Sequence, residues 1–266
     1  MNPSSPIGVF DSGVGGLTVL REIRSALPGE HLLYVADSQH APYGEKSQTF
    51  IEARSIAICE FLLQQQAKAI VVACNTATAA AITTLRKRFA IPIVAIEPAV
   101  KPAAQQTRSK VVGVLATSGT LASDNFMKLL VRFGADVNIL VQPCPGLVEQ
   151  VEAGDLNGAA TQILLESYLR PLLAQGADTI VLGCTHYPFL APLIQSIAGT
   201  GVSIIDPSSA IASELRRRLE SVGLLSAGDS GGIEKFWTSG DVAKVQPVIT
   251  QLWGAPVLVE RLPAGQ

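Results

Sequence analysis

The sequence predicts an α/β fold built on parallel sheets, and three observations lead there. Short β-branched runs alternate with helix-length amphipathic stretches along the 266 residues. The runs are apolar throughout, as expected of strands covered on both faces. Two segment types also recur in the same order, about one hundred residues apart. At roughly 150 residues per domain, the chain is long enough for one large or two medium domains. Scaling of buried area with size gives it a substantial core without disulfides or metals.

Taken in order, IGVF (7–10) reads as a strand and GGLTVLREIRSAL as a helix. HLLYVAD is a strand, and 47–66 a long helix with apolar Ile51, Ile56, Phe61 and Leu62. AIVVA is a strand, followed by a helix through Arg88 and the strand IPIVAI. VVGVLA, VNILVQ, TIVLG and VSIID continue the strand pattern. No low-complexity linker separates the halves, so a boundary is placed near 97–102.

The repeat sharpens the architecture. GVFDSGVGG begins at Gly8 and GVLATSGTL at Gly113, an offset of 105; AKAIVVACNTATA carries Cys74 and ADTIVLGCTHYPF carries Cys184, an offset of 110. Duplication accounts for the near-equal offsets; chance similarity between parallel strands is the alternative. Two similar lobes, each a mostly parallel sheet flanked by helices and related by a pseudo-two-fold, would face each other across a cleft. Ligands in such sheets bind at the carboxyl ends of the strands.

Composition excludes several classes. Hydrophobic residues make up 48% and mean hydropathy is +0.34, which excludes a disordered chain. Twenty basic and 22 acidic residues give a net charge of −2. With no basic stripe, nucleic acid is not expected as a main partner. Apolar runs such as 69–74 fall far below the roughly 18 residues of a membrane span. MNPSSPIGVF lacks the features of a signal peptide, so a cytoplasmic location is expected. The four cysteines form no CxxC, which fits free thiols in a reducing compartment.

Cys74 and Cys184 each stand where a strand ends and a helical segment begins. Helix N-termini favour thiolate, and free amides and hydroxyls at a helix start suit a carboxylate. Asn75 and Thr76 follow one thiol, Thr185 and His186 the other. The plainer reading makes each cysteine a small core residue; the matched repeat positions weigh against it. Cys59 and Cys144 do not repeat and read as structural. Two thiols from opposed lobes suit inversion of a stereocentre, one removing an α-proton and the other returning a proton to the opposite face. Thiols titrate near ~8.5, close enough to neutrality to serve as both base and acid.

At these residues the chain resembles the glutamate racemases of the aspartate/glutamate racemase family. FDSGVGGLTV, ADSQHAPYGEKS, VVACNTATA, IEPAVKPA, GVLATSGT, LGCTHYP and FWTSGDV carry the resemblance across nearly the whole chain. CNT, GCTHYP and DSGVGG are specific together. Ser38 stands where threonine is common and Phe126 where tyrosine is frequent; neither is expected to touch the chemistry. The resemblance implies cofactor-independent interconversion of L- and D-glutamate by two thiol bases, supplying D-glutamate for peptidoglycan. Cys74 and Cys184 would be the bases, Asp11 and His186 would each support one, and Glu152 and Asp37 are further candidates. Asp11, Ser12, Tyr43, Gly44, Asn75, Thr76, Thr185 and His186 would hold substrate, and Thr117 and Thr120 its carboxylates. The resemblance also implies a discontinuous first lobe, 1–98 with 208–266, around a second lobe, 99–207. It implies a homodimer and no cofactor or metal.

Each role has a competitor. Asp11 could simply cap the following helix. The turn GVGG is not G-x-G-x-x-G, because Thr18 holds the third glycine's position. His186 has only His31 and His40 as fellow histidines, which makes it a poor metal ligand. Glu149 competes with Glu152, and Tyr43 could be a packing aromatic. A Cys-x5-Arg phosphatase fails at Ala80 and Leu190. Aspartate or hydantoin racemisation, or non-catalytic amino-acid binding, are the alternative functions.

Overall fold

The computed structural model describes residues 2–134, 136–228 and 231–263. The outermost residues of the expected 1–98 and 208–266 ranges lie outside the described residues. Its first half runs β1 (Ile7–Asp11), α1 (Leu17–Ala26), β2 (Leu32–Ala36), α2 (Gln48–Gln64), β3 (Ala69–Val72), α3 (Asn75–Arg88), β4 (Ile93–Ala95) and α4 (Val100–Gln106). The second runs β5 (Val111–Ala116), α5 (Ser118–Leu121), α6 (Asp124–Phe133), β6 (Asn138–Pro143), α7 (Leu147–Glu152), α8 (Ala159–Ala174), β7 (Thr179–Leu182), α9 (Ala191–Ala198) and β8 (Ser203–Ile205). Then follow α10 (Ser208–Ser221), β9 (Glu234–Thr238), α11 (Val242–Trp253) and β10 (Val259–Arg261).

Two wholly parallel sheets result. One is ordered β10-β9-β2-β1-β3-β4 and the other β6-β5-β7-β8. The segment β2-β1-β3-β4 and the whole second sheet share one strand order, so β3 and β7 occupy equivalent places. Strands β1, β2 and β3 are buried along their full length, as their uninterrupted apolar sequences require. β6 is half-exposed because it is an edge strand.

The helices begin where side chains can serve free amides. Ser47 accepts the Phe50 N–H at the start of α2, Ser123 the Phe126 N–H at α6, and Asp241 the Ala243 N–H at α11. The expected helix over 47–66 is therefore α2 with Ser47 as its cap. One apolar cluster runs through both lobes, joining Val14, Leu17 and Leu20 of the first to Leu147, Tyr187 and Leu190 of the second. Two smaller clusters fill the outer layers, one in each lobe. This shared core sets the carboxyl ends of β1, β3, β5 and β7 toward one another. Among the described residues, no helix is long and apolar enough to cross a membrane.

Candidate active site

Cys74 closes the turn after β3 and caps α3. Its sulfur accepts the Ala77 N–H at 3.4 Å and lies 3.6 Å from the Ser12 hydroxyl oxygen. Asp11, the last residue of β1, lies beside it, fully buried. One Asp11 oxygen accepts the Ser12 N–H at 2.7 Å; the other accepts the Gly16 N–H at 2.5 Å and the Thr185 hydroxyl at 3.0 Å. The carboxylate thus fixes the turn before α1 and also reaches the second lobe. Burial pushes the Asp11 carboxyl up, against the opposing pull of His186. Burial, then the Asp11 charge, pushes the Cys74 thiol far up.

Cys184 follows β7 differently. A helix N-terminus is expected there, but Tyr187–Leu190 is a 3-10 turn and α9 starts only at Ala191. The neighbour at the sulfur is instead His186, whose Nδ1 is 3.6 Å away. Its Nε2 is 2.7 Å from Glu152 Oε1. Burial disfavours the imidazolium, but the hydrogen bonds to Cys184 and Glu152 outweigh it, and the His186 pKa is raised well above its ordinary value. Of the two competing glutamates, Glu152 is therefore the one that meets His186. Glu149 lines a small cavity with Gly44, Thr117 and Cys144.

The glycine-rich turn has a reason that sequence reasoning missed. A Cβ on Gly13 would lie 1.8 Å from Glu152 Oε1, and one on Gly15 would lie 2.3 Å from His186 Nδ1. These glycines make room for the second lobe, not for a phosphate.

The remaining candidates line the same seam. The Thr76 hydroxyl lies 2.9 Å from that of Thr117 and 3.2 Å from that of Thr120, which joins the starts of α3 and α5. Asn75 is buried, with neither amide atom partnered among the described residues. A buried orphaned amide is costly and marks a place for a polar ligand. Tyr43 is buried and donates to Asp37 Oδ2 at 2.5 Å, while Gly44 packs under Thr117, where a Cβ would lie 2.9 Å from the threonine Cβ.

Two expectations are corrected. Asp37 supports no thiol. Arg54 clamps both its oxygens at 2.8 and 3.0 Å, and Tyr43, His40 and Ser239 also bond to it. Burial alone would raise its pKa, but Arg54 and Tyr43 hold it below the ordinary carboxylate range. Its role is to fix the Tyr43–Gly44 turn. Ser38, expected to be remote from the chemistry, donates to Glu152 Oε2 at 3.3 Å. Cys59 is buried in α2; Cys144 is buried with its thiol directed at the Gln142 carbonyl. Sequence reasoning does not single out Arg54 or Tyr34, the latter a lone hydroxyl in an otherwise apolar strand.

Comparison with known proteins agrees with this fold. The family model for Asp/Glu/Hydantoin racemase matches residues 7–215. The glutamate racemase of Ectopseudomonas mendocina is 58% identical over 96% of this chain and 97% of its own. The structure of the Bacillus anthracis glutamate racemase superposes with a TM-score of 0.88 at 34% identity, covering 99% of both chains. That of the Escherichia coli enzyme, solved with L-glutamate and the activator UDP-MurNAc-ala, gives 0.84 at 34% identity, covering 97% of this chain and 98% of its own. The chain belongs to the Asp/Glu/Hydantoin racemase family.

Proposed function

We propose that the protein interconverts L- and D-glutamate by two thiol bases, without a cofactor. The observation that carries this reading is the placement of Cys74 and Cys184 at equivalent strand ends, each buried and each beside its own ionisable partner. The glutamate racemases among its relatives support the choice of substrate over aspartate or a hydantoin. One thiolate takes the Cα–H from one face and becomes a thiol. The opposing thiol gives its proton to the other face and becomes a thiolate, so each turnover exchanges the two states. The unpartnered Asn75 amide and the hydroxyls of Thr76, Thr117, Thr120 and Thr185 hold the carboxylates and stabilise charge developing at Cα. Ser12 and the Tyr43–Gly44 turn wall the site.

Burial and Asp11 disfavour a thiolate at Cys74. The substrate's ammonium group supplies the opposite charge, so binding and thiol activation are coupled. The cavity beside Thr117 holds about 30 Å³, room for roughly two waters and too small for an amino acid. In this reading the lobes part to admit substrate and close to exclude water. In this reading the lobes are 1–98 with 208–266, and 99–207. The enzyme acts in the cytoplasm as a homodimer and supplies D-glutamate for peptidoglycan.

The test is incubation with L-glutamate in D2O without added cofactor, following optical rotation and α-deuterium together. Loss of rotation with deuterium at Cα is expected. Absence of exchange from either enantiomer, in folded protein with reduced thiols, rejects the reading. Exchange with aspartate or a hydantoin instead would move the assignment within the family.

A further inference from the structure

The Cys184 half of the site is tied to the opposite lobe through one peptide unit, and a phenol holds that unit from behind. Tyr34, on β2, is fully buried and donates to the Gly13 carbonyl at 2.8 Å. That carbonyl and the Val14 N–H are the two polar ends of one peptide plane. The Val14 N–H donates to Glu152 Oε1 at 2.6 Å, the same oxygen that lies 2.7 Å from His186 Nε2. His186 Nδ1 then faces the Cys184 sulfur at 3.6 Å. Glu152 packs against Gly13 so closely that a Cβ there would lie 1.8 Å from Oε1.

We propose that Tyr34 is a positioning residue for the Cys184 half of the reaction, orienting and polarising the Gly13–Val14 peptide that holds Glu152 in line with His186. The proposal rests on the two-thiol reading above. The Tyr34 and Val14 donors run in series as far as Glu152 Oε1, where Val14 N–H and His186 Nε2 share one oxygen, so the loss of the distant donor changes how that oxygen is shared with His186. Burial, with the Asp11 and Glu152 charges nearby, pushes the phenol well above its ordinary range, so it stays a donor at any working pH. The Cys74 sulfur is held by Ser12 and the Ala77 N–H, outside this series; the phenol also meets Gly16, whose N–H donates to Asp11, so its link to the Cys74 half runs through Asp11 and not through the sulfur.

The test is Tyr34→Phe in the full chain. The two enantiomers have equal free energy in water, so kcat/KM stays equal in both directions whatever the variant does. The asymmetry is read instead from primary isotope effects with α-deuterated substrate in each direction. The loss of one hydrogen bond predicts a fall in kcat of about tenfold with little change in KM. The isotope effect should rise only in the direction in which Cys184 takes the proton. Wild-type kinetics, or equal rises in both directions, overturn the proposal. In a cycle with Glu152→Gln the fold-losses should not multiply; independent multiplication also overturns it. Should Tyr34→Phe not fold, fluorotyrosine at position 34 keeps the donor and changes its strength, and an unaltered isotope effect refutes the relay. Cys184→Ser separates the two levels. If it racemises at the wild-type rate the two-thiol reading falls; if it is inactive while Tyr34→Phe is normal, only the role of Tyr34 falls.

Discussion

The two thiols stand at equivalent places in two sheets of the same strand order, yet their surroundings share little. Cys74 is served within its own lobe, by the start of a 14-residue helix, by Ser12 and by the buried Asp11. Cys184 has only a 3-10 turn behind it and takes an imidazole as its neighbour, braced by Glu152 and through it by the opposite lobe. The repeat therefore duplicates the scaffold but not the electrostatics. A carboxyl beside one thiol and a raised-pKa imidazole beside the other set the two ends apart, as an acid and a base facing one proton position require. The asymmetry would also be mechanical: parting of the lobes would take the Thr185 hydroxyl from Asp11 but leave Ser12 and the Ala77 N–H at Cys74, whereas it would pull Glu152 from the Val14 N–H.

The largest effects should ignore this difference. Cys74→Ser and Cys184→Ser each remove a proton-transfer group, and each should lower racemisation by about 10²–10⁴-fold in both directions, followed by circular dichroism at fixed substrate. A variant that keeps wild-type rates would mean that the thiol it lacks is structural. The partners should then separate the two ends. Asp11→Asn and His186→Gln should each cost about 10²-fold in kcat, with the isotope effect rising in opposite directions of reaction. The same direction for both would break the comparison, because it would mean that one half-reaction limits whatever is changed.

An effect of similar size tests the fit between lobes. Gly15→Ala places a methyl group 2.3 Å from His186 Nδ1 in the closed arrangement. The ring must shift, and displacement of a catalytic partner by about an ångström costs on the order of 10²-fold. Gly176→Ala is the control: its Cβ meets nothing within 4 Å, but its φ of +85° imposes backbone strain alone. It should lower the melting temperature and spare kcat, whereas Gly15→Ala should do the reverse.

Much of this was legible from residue types, for physical reasons that can be named. Continuous Val-Ile-Leu runs such as IVVA specify buried parallel strands because no polar side chain is left to face water. The two cysteines were legible because the repeat aligned them. The return of the chain to the first sheet was not. β9 pairs with β2, some 200 residues distant, and β10 pairs with β9, contacts that no periodicity records. The 3-10 turn after Cys184 was missed because apolar spacing over 190–197 suggests one helix, whereas Pro188 sits inside a separate turn. The place of Asp37 is not legible because sequence shows a carboxylate but not Arg54, which approaches it from 17 residues away. Glu152 and Glu149 differ only in which helical face meets His186.

The smallest effects concern stability, and they separate the two ends by pH. Asp11 and His186 both have folded pKa values above their ordinary ones, so in each case the folded state binds the proton more tightly than the unfolded chain. Stability must then fall as pH rises through the interval between the two values. For Asp11 that interval opens above 3.8. For His186 the contribution is full below 6.5 and is lost as pH rises through the raised folded value. The difference in melting temperature between wild type and Asp11→Asn should therefore begin to change as pH rises above 3.8 and level off only above the raised folded value. That for His186→Gln should stay level across the acidic range and shrink above neutrality, by a few degrees for each ~1 kcal/mol in a chain of this size. If both differences moved in one common window, the carboxyl and the imidazole would be titrating as a single coupled unit across the lobe seam. Asp11 sits close enough to His186 to feel its charge, so only separate windows would establish that the two thiols have independently tuned partners.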